Sequence, residues 1–173
     1  TLYGKKPVIL VTNKVMAEIK EIVKVAPKEA QWFYRVERKE NQGHIAYIIQ
    51  DLYVPEQYCS AAEVETQGFQ QILFYKELKE IHGDDVETIN NILQTMTCWC
   101  HSHGNIGSPG PSGTDHDTFK KLIGDFSDSE RKVPVLMLIF TKKHDYFSAV
   151  YDPIVGMTFQ GVEIIEYGQD VSY

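Results

Sequence analysis

The sequence predicts an α+β fold or an irregular α/β layer, in which a mixed β-sheet packs against helices in one domain spanning residues 1–173. Strand-like and helix-like patterns are mixed along the chain, without the regular alternation of strand and helix that a doubly wound sheet requires. Residues 133–140 form a nearly continuous apolar run, typical of a central strand buried on both faces. With 43% hydrophobic residues, the 173-residue chain can bury one core.

The chain begins with a predicted strand and a predicted helix. Residues 7–11 are mostly apolar and short enough for a strand, and Thr12 or Asn13 is suited to cap the helix that follows. Pro27 ends that helix. Its apolar face has helical spacing and consists of Val15, Ile19, Ile22 and Ala26.

A hairpin is predicted next. From Glu29 the chain has the aromatic, alternating character of a strand, and Asn41-Gln42-Gly43 separates it from a second strand at residues 45–54. Residues 61–65 predict a further short strand.

The middle of the chain predicts a helix and then a strand. Residues 69–81 have an apolar face at helical spacing formed by Phe74, Leu78 and Ile81, and the polar residues 82–85 end this helix. Residues 92–100 are then expected to form a strand. If that strand is extended, one of its faces carries Leu93, Thr95, Thr97, Trp99, His101 and His103.

The last third predicts another helix and three strands. Thr114 or Asp115 is expected to cap the helix, and its apolar face consists of Phe119, Leu122, Ile123 and Phe126. Residues 133–140, 146–151 and 162–167 predict the strands.

Composition excludes several classes of partner. The formal net charge is −7, so the chain offers no basic surface for nucleic acid. The longest apolar stretch is too short to span a bilayer, which argues against a membrane role. Three cysteines form no plausible disulfide framework, and Cys98 and Cys100 are spaced too closely along one strand to be bridged easily. A cytoplasmic location is therefore expected.

A candidate metal site stands out in the sequence. Cys98-Trp99-Cys100-His101-Ser102-His103 is followed, after a Gly/Pro-rich loop, by Ser112-Gly113-Thr114-Asp115. Histidines two residues apart on a strand point the same way, so both imidazoles can reach one ion. Asp115 at a helix start would be the third ligand, and two His with one Asp suit Zn²⁺ with an open fourth position for water.

Other interpretations of these residues remain open. His101 and His103 could be surface or packing histidines, and Ser112 an ordinary turn or capping serine. Cys98 and Cys100 could be zinc ligands, although strand alternation favours small buried residues facing away from the histidines. For a general base we choose Glu29, because it opens a strand directly after a helix-ending proline; the alternative is a solvated glutamate.

With these residues identified, the chain resembles the JAB/MPN family of JAMM zinc metallopeptidases, in particular its prokaryotic branch. The family's signature is an upstream Glu, then His-x-His, seven residues and Ser-x-x-Asp. Trp99 is similar to the family's Trp before His-x-His, and the segment around Glu29 is similar to that around the family's glutamate. Two departures are that eight residues separate His103 from Ser112, and that Gly104 stands where many members have Pro. Asp117 is therefore a second candidate for the third ligand.

The resemblance implies a fold, a metal and a reaction. The fold is a curved mixed sheet packed between helices, layered as in cytidine deaminases, with zinc at one sheet edge. The reaction is hydrolysis of peptide or isopeptide bonds that removes or matures a ubiquitin-like modifier. His101, His103 and Asp115 would hold one catalytic Zn²⁺, Glu29 would be the general base and acid, and Ser112 would stabilise the oxyanion. Alternatives are a phage or cell-wall type zinc peptidase, or a non-catalytic interaction module.

Overall fold

The computed structural model describes residues 6–26, 29–54, 67–104, 108–127 and 132–168. All eight strands of this part belong to one mixed sheet, which four helices accompany. In chain order the elements are β1 (Val8–Thr12), α1 (Asn13–Val25), β2 (Gln31–Asn41), β3 (His44–Tyr53), α2 (Gln67–His82), α3 (Val86–Thr95), β4 (Cys98–Ser102), α4 (Gly113–Ser127), β5 (Val135–Phe140), β6 (Tyr146–Asp152), β7 (Met157–Gln160) and β8 (Glu163–Tyr167). The predicted α+β fold class is confirmed.

The sheet has the strand order β7-β6-β5-β4-β2-β3-β1-β8 and curls on itself. Strand β4 lies inside it, antiparallel to β2 and parallel to β5. Although β6 and β8 are far apart in that order, Ser148 donates its hydroxyl hydrogen to the carbonyl of Val162 at 2.6 Å, and Ile164 donates its N–H to the Tyr146 hydroxyl. The two ends of the sheet therefore approach each other.

Each face of the sheet carries its own apolar layer. Helix α1 packs on one face through Val15, Ile19 and Val23, against a layer that includes Trp32, Tyr34, Cys98 and Cys100. Helix α4 packs on the opposite face through Phe119 and Leu122, against Trp99, Met137 and Ile139. Helices α2 and α3 cover the same face near Phe33. Alternation along β4 therefore separates the cysteines from Trp99, as predicted.

Most predicted elements are present. The β2–β3 hairpin is antiparallel, and every residue of β5 is buried, as the apolar run requires. Thr12 caps α1 by accepting the N–H of Val15 at 3.1 Å. The strand predicted at residues 61–65 and the side chain of Phe74 lie outside the described residues. Strand β7 was not predicted. It has four residues, none of them buried, so its sequence carries little signal of a core-facing side.

The prediction that residues 92–95 begin a strand is wrong. They end helix α3, which Asp85 caps by accepting the N–H of Thr88 at 3.1 Å. Ile89 is fully buried by this helix. Leu93 and Thr95 therefore do not share a strand face with Trp99. The face predicted for α2 is also partly wrong, since Leu78 is buried but Ile81 is 73% exposed.

A membrane-crossing helix is not found in the described part of the chain, where each helix is too short or too polar for that role.

Candidate metal site

The two histidines lie where β4 ends. Trp99 and His101 share a face of the strand, and their rings stack with centroids 4.8 Å apart. The rings of His101 and His103 are 5.0 Å apart. His101 is buried and His103 is partly exposed, so the pair extends from the core to the surface. Since β4 is an interior strand, the site lies at the end of a strand and not along an edge strand of the sheet.

Helix α4 carries Asp115, the acidic member of the site. The carbonyl of Ser112 accepts the N–H of His116, which makes Ser112 the N-cap residue. The Ser112 hydroxyl accepts the N–H of Asp115 at 3.1 Å, and the Asp115 carboxylate accepts the N–H of Ser112 at 2.9 Å. This reciprocal pair is a capping box. The prediction of Thr114 or Asp115 as the cap is therefore wrong, because the helix starts slightly earlier.

The capping box fixes the Asp115 carboxylate between the two imidazoles. Its Oδ1 lies 3.1 Å from Nε2 of His101, and its Oδ2 lies 3.2 Å from Nε2 of His103. One ligand atom from each of the three residues falls within 4.8 Å of the others, so the group could hold a metal ion. Asp117 is exposed and lies outside this group.

The environment of His101 is the strongest indication that the group could bind a metal ion. In the described part of the chain its buried Nε2 has no hydrogen-bond partner, although Oδ1 of Asp115 is near. A buried polar atom without a partner is costly, which calls for an explanation. Tetrahedral coordination with metal–ligand distances near 2.0–2.1 Å places ligand atoms about 3.3 Å apart, close to the spacing seen here. The two imidazole–carboxylate spacings therefore suit one ion bound among the three residues, and Nε2 of His103 and Oδ2 of Asp115 are also within hydrogen-bond distance of each other.

A hydrogen bond outside the group sets the orientation of His103. Its Nδ1 lies 2.9 Å from the carbonyl oxygen of Ser108. A carbonyl can only accept, so Nδ1 carries the hydrogen, and Nε2 is the ring atom that faces Asp115 and can bind a metal when the imidazole is neutral. Outer contacts of this kind orient histidines that bind metals.

Electrostatics keep Asp115 ionised. Burial raises the pKa of its carboxyl, but the His101 imidazole and the Ser112 N–H lower it more, so the pKa lies well below its usual value. The group therefore offers an anionic oxygen beside two imidazole nitrogens, a set suited to a divalent cation.

Glu29 is outside the three-residue group and stands two residues before β2 in the chain. It is exposed and precedes β2, whose first residue, Gln31, pairs with His101. The ladder ends at this pair; continued by two residues, the same register would bring Glu29 opposite His103. Side chains alternate between faces, so Glu29 is assigned to the face that carries the histidines. The expectation that a strand start brings Glu29 near the site is consistent with this register.

The cysteines are not part of the site. Cys98 and Cys100 are completely buried on the other face, with their sulfur atoms 3.7 Å apart. Burial, together with the Cys98 sulfur, raises the pKa of the Cys100 thiol well above its usual value. A neutral buried thiol is a poor metal ligand, so the prediction of small buried residues is supported over the ligand interpretation.

Three nearby residues were missed from the sequence. Ser108 orients His103, Gln31 accepts the indole N–H of Trp99 at 3.3 Å, and Ser102 bonds to the segment that carries Glu29. Ser102 lies between the two histidines in the sequence, but its role was not predicted. A small polar residue within an apolar strand was the available signal, because such a residue needs a hydrogen-bond partner when buried.

Comparison with known proteins finds a likeness among solved structures alone. No family model matches the chain, and no curated protein matches it. Among solved structures, the chain is similar to the solution structure of protein DSY2949 from Desulfitobacterium hafniense, with a TM-score of 0.45 and 16% sequence identity, over 94% of each chain.

Proposed function

We propose that this protein is a zinc-dependent hydrolase of the JAMM type that cleaves peptide or isopeptide bonds. The observation that carries the proposal is the convergence of His101, His103 and Asp115, whose ligand atoms lie within 4.8 Å of one another. Two neutral imidazoles and one carboxylate leave a fourth position for water in a tetrahedral zinc site. When bound, zinc would lower the pKa of such a water to about 7 and polarise the substrate carbonyl.

Glu29 is proposed to move the proton. It would accept a proton from the attacking water while the water oxygen bonds to the carbonyl carbon, and it would return that proton to the leaving amine as the C–N bond breaks. Its exposure fits a base that must exchange protons near solvent, and its place two residues before Gln31, the partner of His101, supports its choice.

Ser112 is proposed to stabilise the negative charge that develops on the carbonyl oxygen. Its hydroxyl oxygen already accepts the N–H of Asp115, but the hydroxyl hydrogen can still be donated. The side chain is exposed at the N-terminus of α4, where the helix dipole also favours negative charge. One serine thus combines a capping role with a catalytic one.

The substrate class rests on the sequence resemblance. Members of the JAMM family typically cleave after the C-terminal glycine of ubiquitin or a ubiquitin-like protein, so we propose a ubiquitin-like modifier or its conjugates as the partner. The net charge of −7 argues against nucleic acid as a competing partner.

The decisive experiment is cleavage of ubiquitin-like fusions by wild-type protein and Glu29→Gln, with chelator and with zinc restored. Wild type should cleave only with metal, and Glu29→Gln should keep its zinc but lose about 10²–10⁴-fold in rate. Glu37→Gln is the matched control, because Glu37 is an exposed glutamate of β2 with no place in the site. Equal activity of wild type and Glu29→Gln would refute the mechanism.

The same assay separates the alternatives. Cleavage of short peptides but not of folded fusions would favour a zinc peptidase for small or cell-wall substrates. Full zinc occupancy without turnover on either substrate would favour a non-catalytic interaction module.

A further inference from the structure

Ser102 bonds to both backbone groups of Ala30, the residue after Glu29. The Ser102 hydroxyl accepts the N–H of Ala30 at 2.9 Å, and the Ser102 N–H donates to the carbonyl of Ala30 at 3.0 Å. Both residues are buried, with 2% and 4% of their surface exposed. These bonds join residues 72 positions apart in the chain.

The acceptor is unusual for a strand pair. In a regular antiparallel pair, two opposite residues exchange N–H and carbonyl bonds through the backbone alone. Here the side chain of Ser102 accepts the Ala30 N–H in place of a backbone carbonyl. The last link between β2 and β4 therefore depends on which residue stands at position 102. Without the hydroxyl, the buried Ala30 N–H would lose its partner.

This link is directly connected to the proposed site on both sides. Ser102 lies between His101 and His103, and Ala30 is bonded covalently to Glu29. Glu29 precedes the strand proper, which begins at Gln31, so the regular ladder does not hold it. The contacts of Ala30 with Ser102 are what tie the Glu29 backbone to the histidine strand.

We propose that Ser102 is a positioning residue, which holds Glu29 at the correct distance from the His101–His103 pair by bonding to Ala30. The inference rests on the proposed function, since it assigns Glu29 the role of base. Ser102 touches neither substrate nor metal in this scheme, because its side chain lies on the other face of β4. Its effect is on proton transfer, where a displacement of the base by about 1 Å costs up to about 100-fold in rate.

The test compares Ser102→Ala, Ser102→Thr and the control Ser148→Ala. Ser148 is also a fully buried strand serine with one structural hydrogen bond, but it lies on β6 and bonds to Val162. The first measurement is hydrogen exchange of the Ala30 amide in metal-free protein. Ser102→Ala should speed this exchange about tenfold or more, whereas Ser148→Ala should leave it unchanged.

The second measurement is kinetic, on zinc-loaded protein with a ubiquitin-like fusion. Ser102→Ala should lower kcat about 10- to 100-fold with zinc affinity and KM unchanged. Ser102→Thr, which keeps the hydroxyl, should restore most of kcat. In a Glu29→Gln background, Ser102→Ala should cost nothing further, because its effect passes through Glu29.

The outcomes distinguish this inference from the function it rests on. Active wild type with an unchanged kcat in Ser102→Ala would overturn the inference alone. A similar kcat loss in Ser148→Ala, or an undiminished loss in the Glu29→Gln background, would also overturn it, since the effect would then be general destabilisation. A wild-type protein that binds zinc but cleaves no fusion would overturn the proposed function and the inference with it.

Discussion

Replacing Asp115 by Asn tests the metal site with the least change in shape. The amide oxygen of Asn can still accept the N–H of Ser112, so the capping box and the start of α4 should persist. What is lost is the anionic oxygen between the two imidazoles. The expected result is a folded protein that binds zinc weakly.

The size of the effect follows from linkage between binding and folding. Free zinc at about 1,000 times its dissociation constant stabilises the folded state by about 4 kcal/mol. For a domain of this length, 1 kcal/mol raises Tm by about 2–4 °C, so zinc should raise the wild-type Tm by about 8–16 °C. Losing an outer contact of a metal site costs about 10–100-fold in affinity, so losing a ligand should cost at least about 100-fold. That loss is about 2.7 kcal/mol, which leaves a rise of about 3–6 °C.

The assay is thermal unfolding with and without zinc at one fixed free concentration, with affinity measured by competition against a chromogenic chelator. Asp117→Asn is the control, because it makes the same charge change two residues further along the same helix, at an exposed position. It should keep the full wild-type shift. An equal shift in wild type and Asp115→Asn, or a loss of shift in Asp117→Asn, would refute the assignment of Asp115 as ligand.

The remaining predictions concern capping and the buried ion pair. Ser112→Ala should lower the free energy of unfolding of metal-free protein, measured by urea unfolding, by about 0.5–2 kcal/mol, because the helix loses its cap. The same substitution should lower kcat. An unchanged kcat would contradict the proposed catalytic role of Ser112. Asp152, fully buried, accepts hydrogen bonds from Arg38 at 2.7 Å and Tyr47 at 2.8 Å, so Asp152→Asn should cost about 3–5 kcal/mol without changing zinc affinity. The exposed Asp51, paired with an arginine on the surface, is the control: Asp51→Asn should cost less than about 1 kcal/mol, and equal losses would contradict the importance of burial.

Elements were predictable from sequence where local periodicity and burial agree. Strand β5 is apolar throughout because helices or other strands cover both its faces, and α4 shows its apolar stripe because one face packs on Trp99 and Met137. The strand prediction for residues 92–95 failed because a short apolar run fits a strand and a helix equally. The cap at Asp85 decides between them, and its Asp-x-x-Thr pattern was in the sequence.

The strand order could not be read from the chain. Strands β2 and β4 pair across 68 residues, and β1 pairs with β8 near the opposite end of the described chain. No local pattern records which strands are neighbours, because pairing depends on how all the apolar faces are covered together. Even so, the order bears on the site, because it places Gln31, two residues after Glu29, beside His101.

The candidate ligands were predictable for a different reason from their partners. His101, His103 and Asp115 lie within fifteen consecutive residues, so strand alternation and a helix start suffice to bring them together. The eight-residue spacing between His103 and Ser112 left two candidates for the third ligand. The structure places Asp115 in the three-residue group and Asp117 outside it, because the capping box turns the Asp115 carboxylate back toward Ser112. Ser102 could not be assigned in this way, since its partner is 72 residues away. Residues that act together within one short segment can be recognised from their spacing in the sequence. The role of a residue that positions a distant segment depends on the sheet register, so the sequence shows only a small polar residue within an apolar strand.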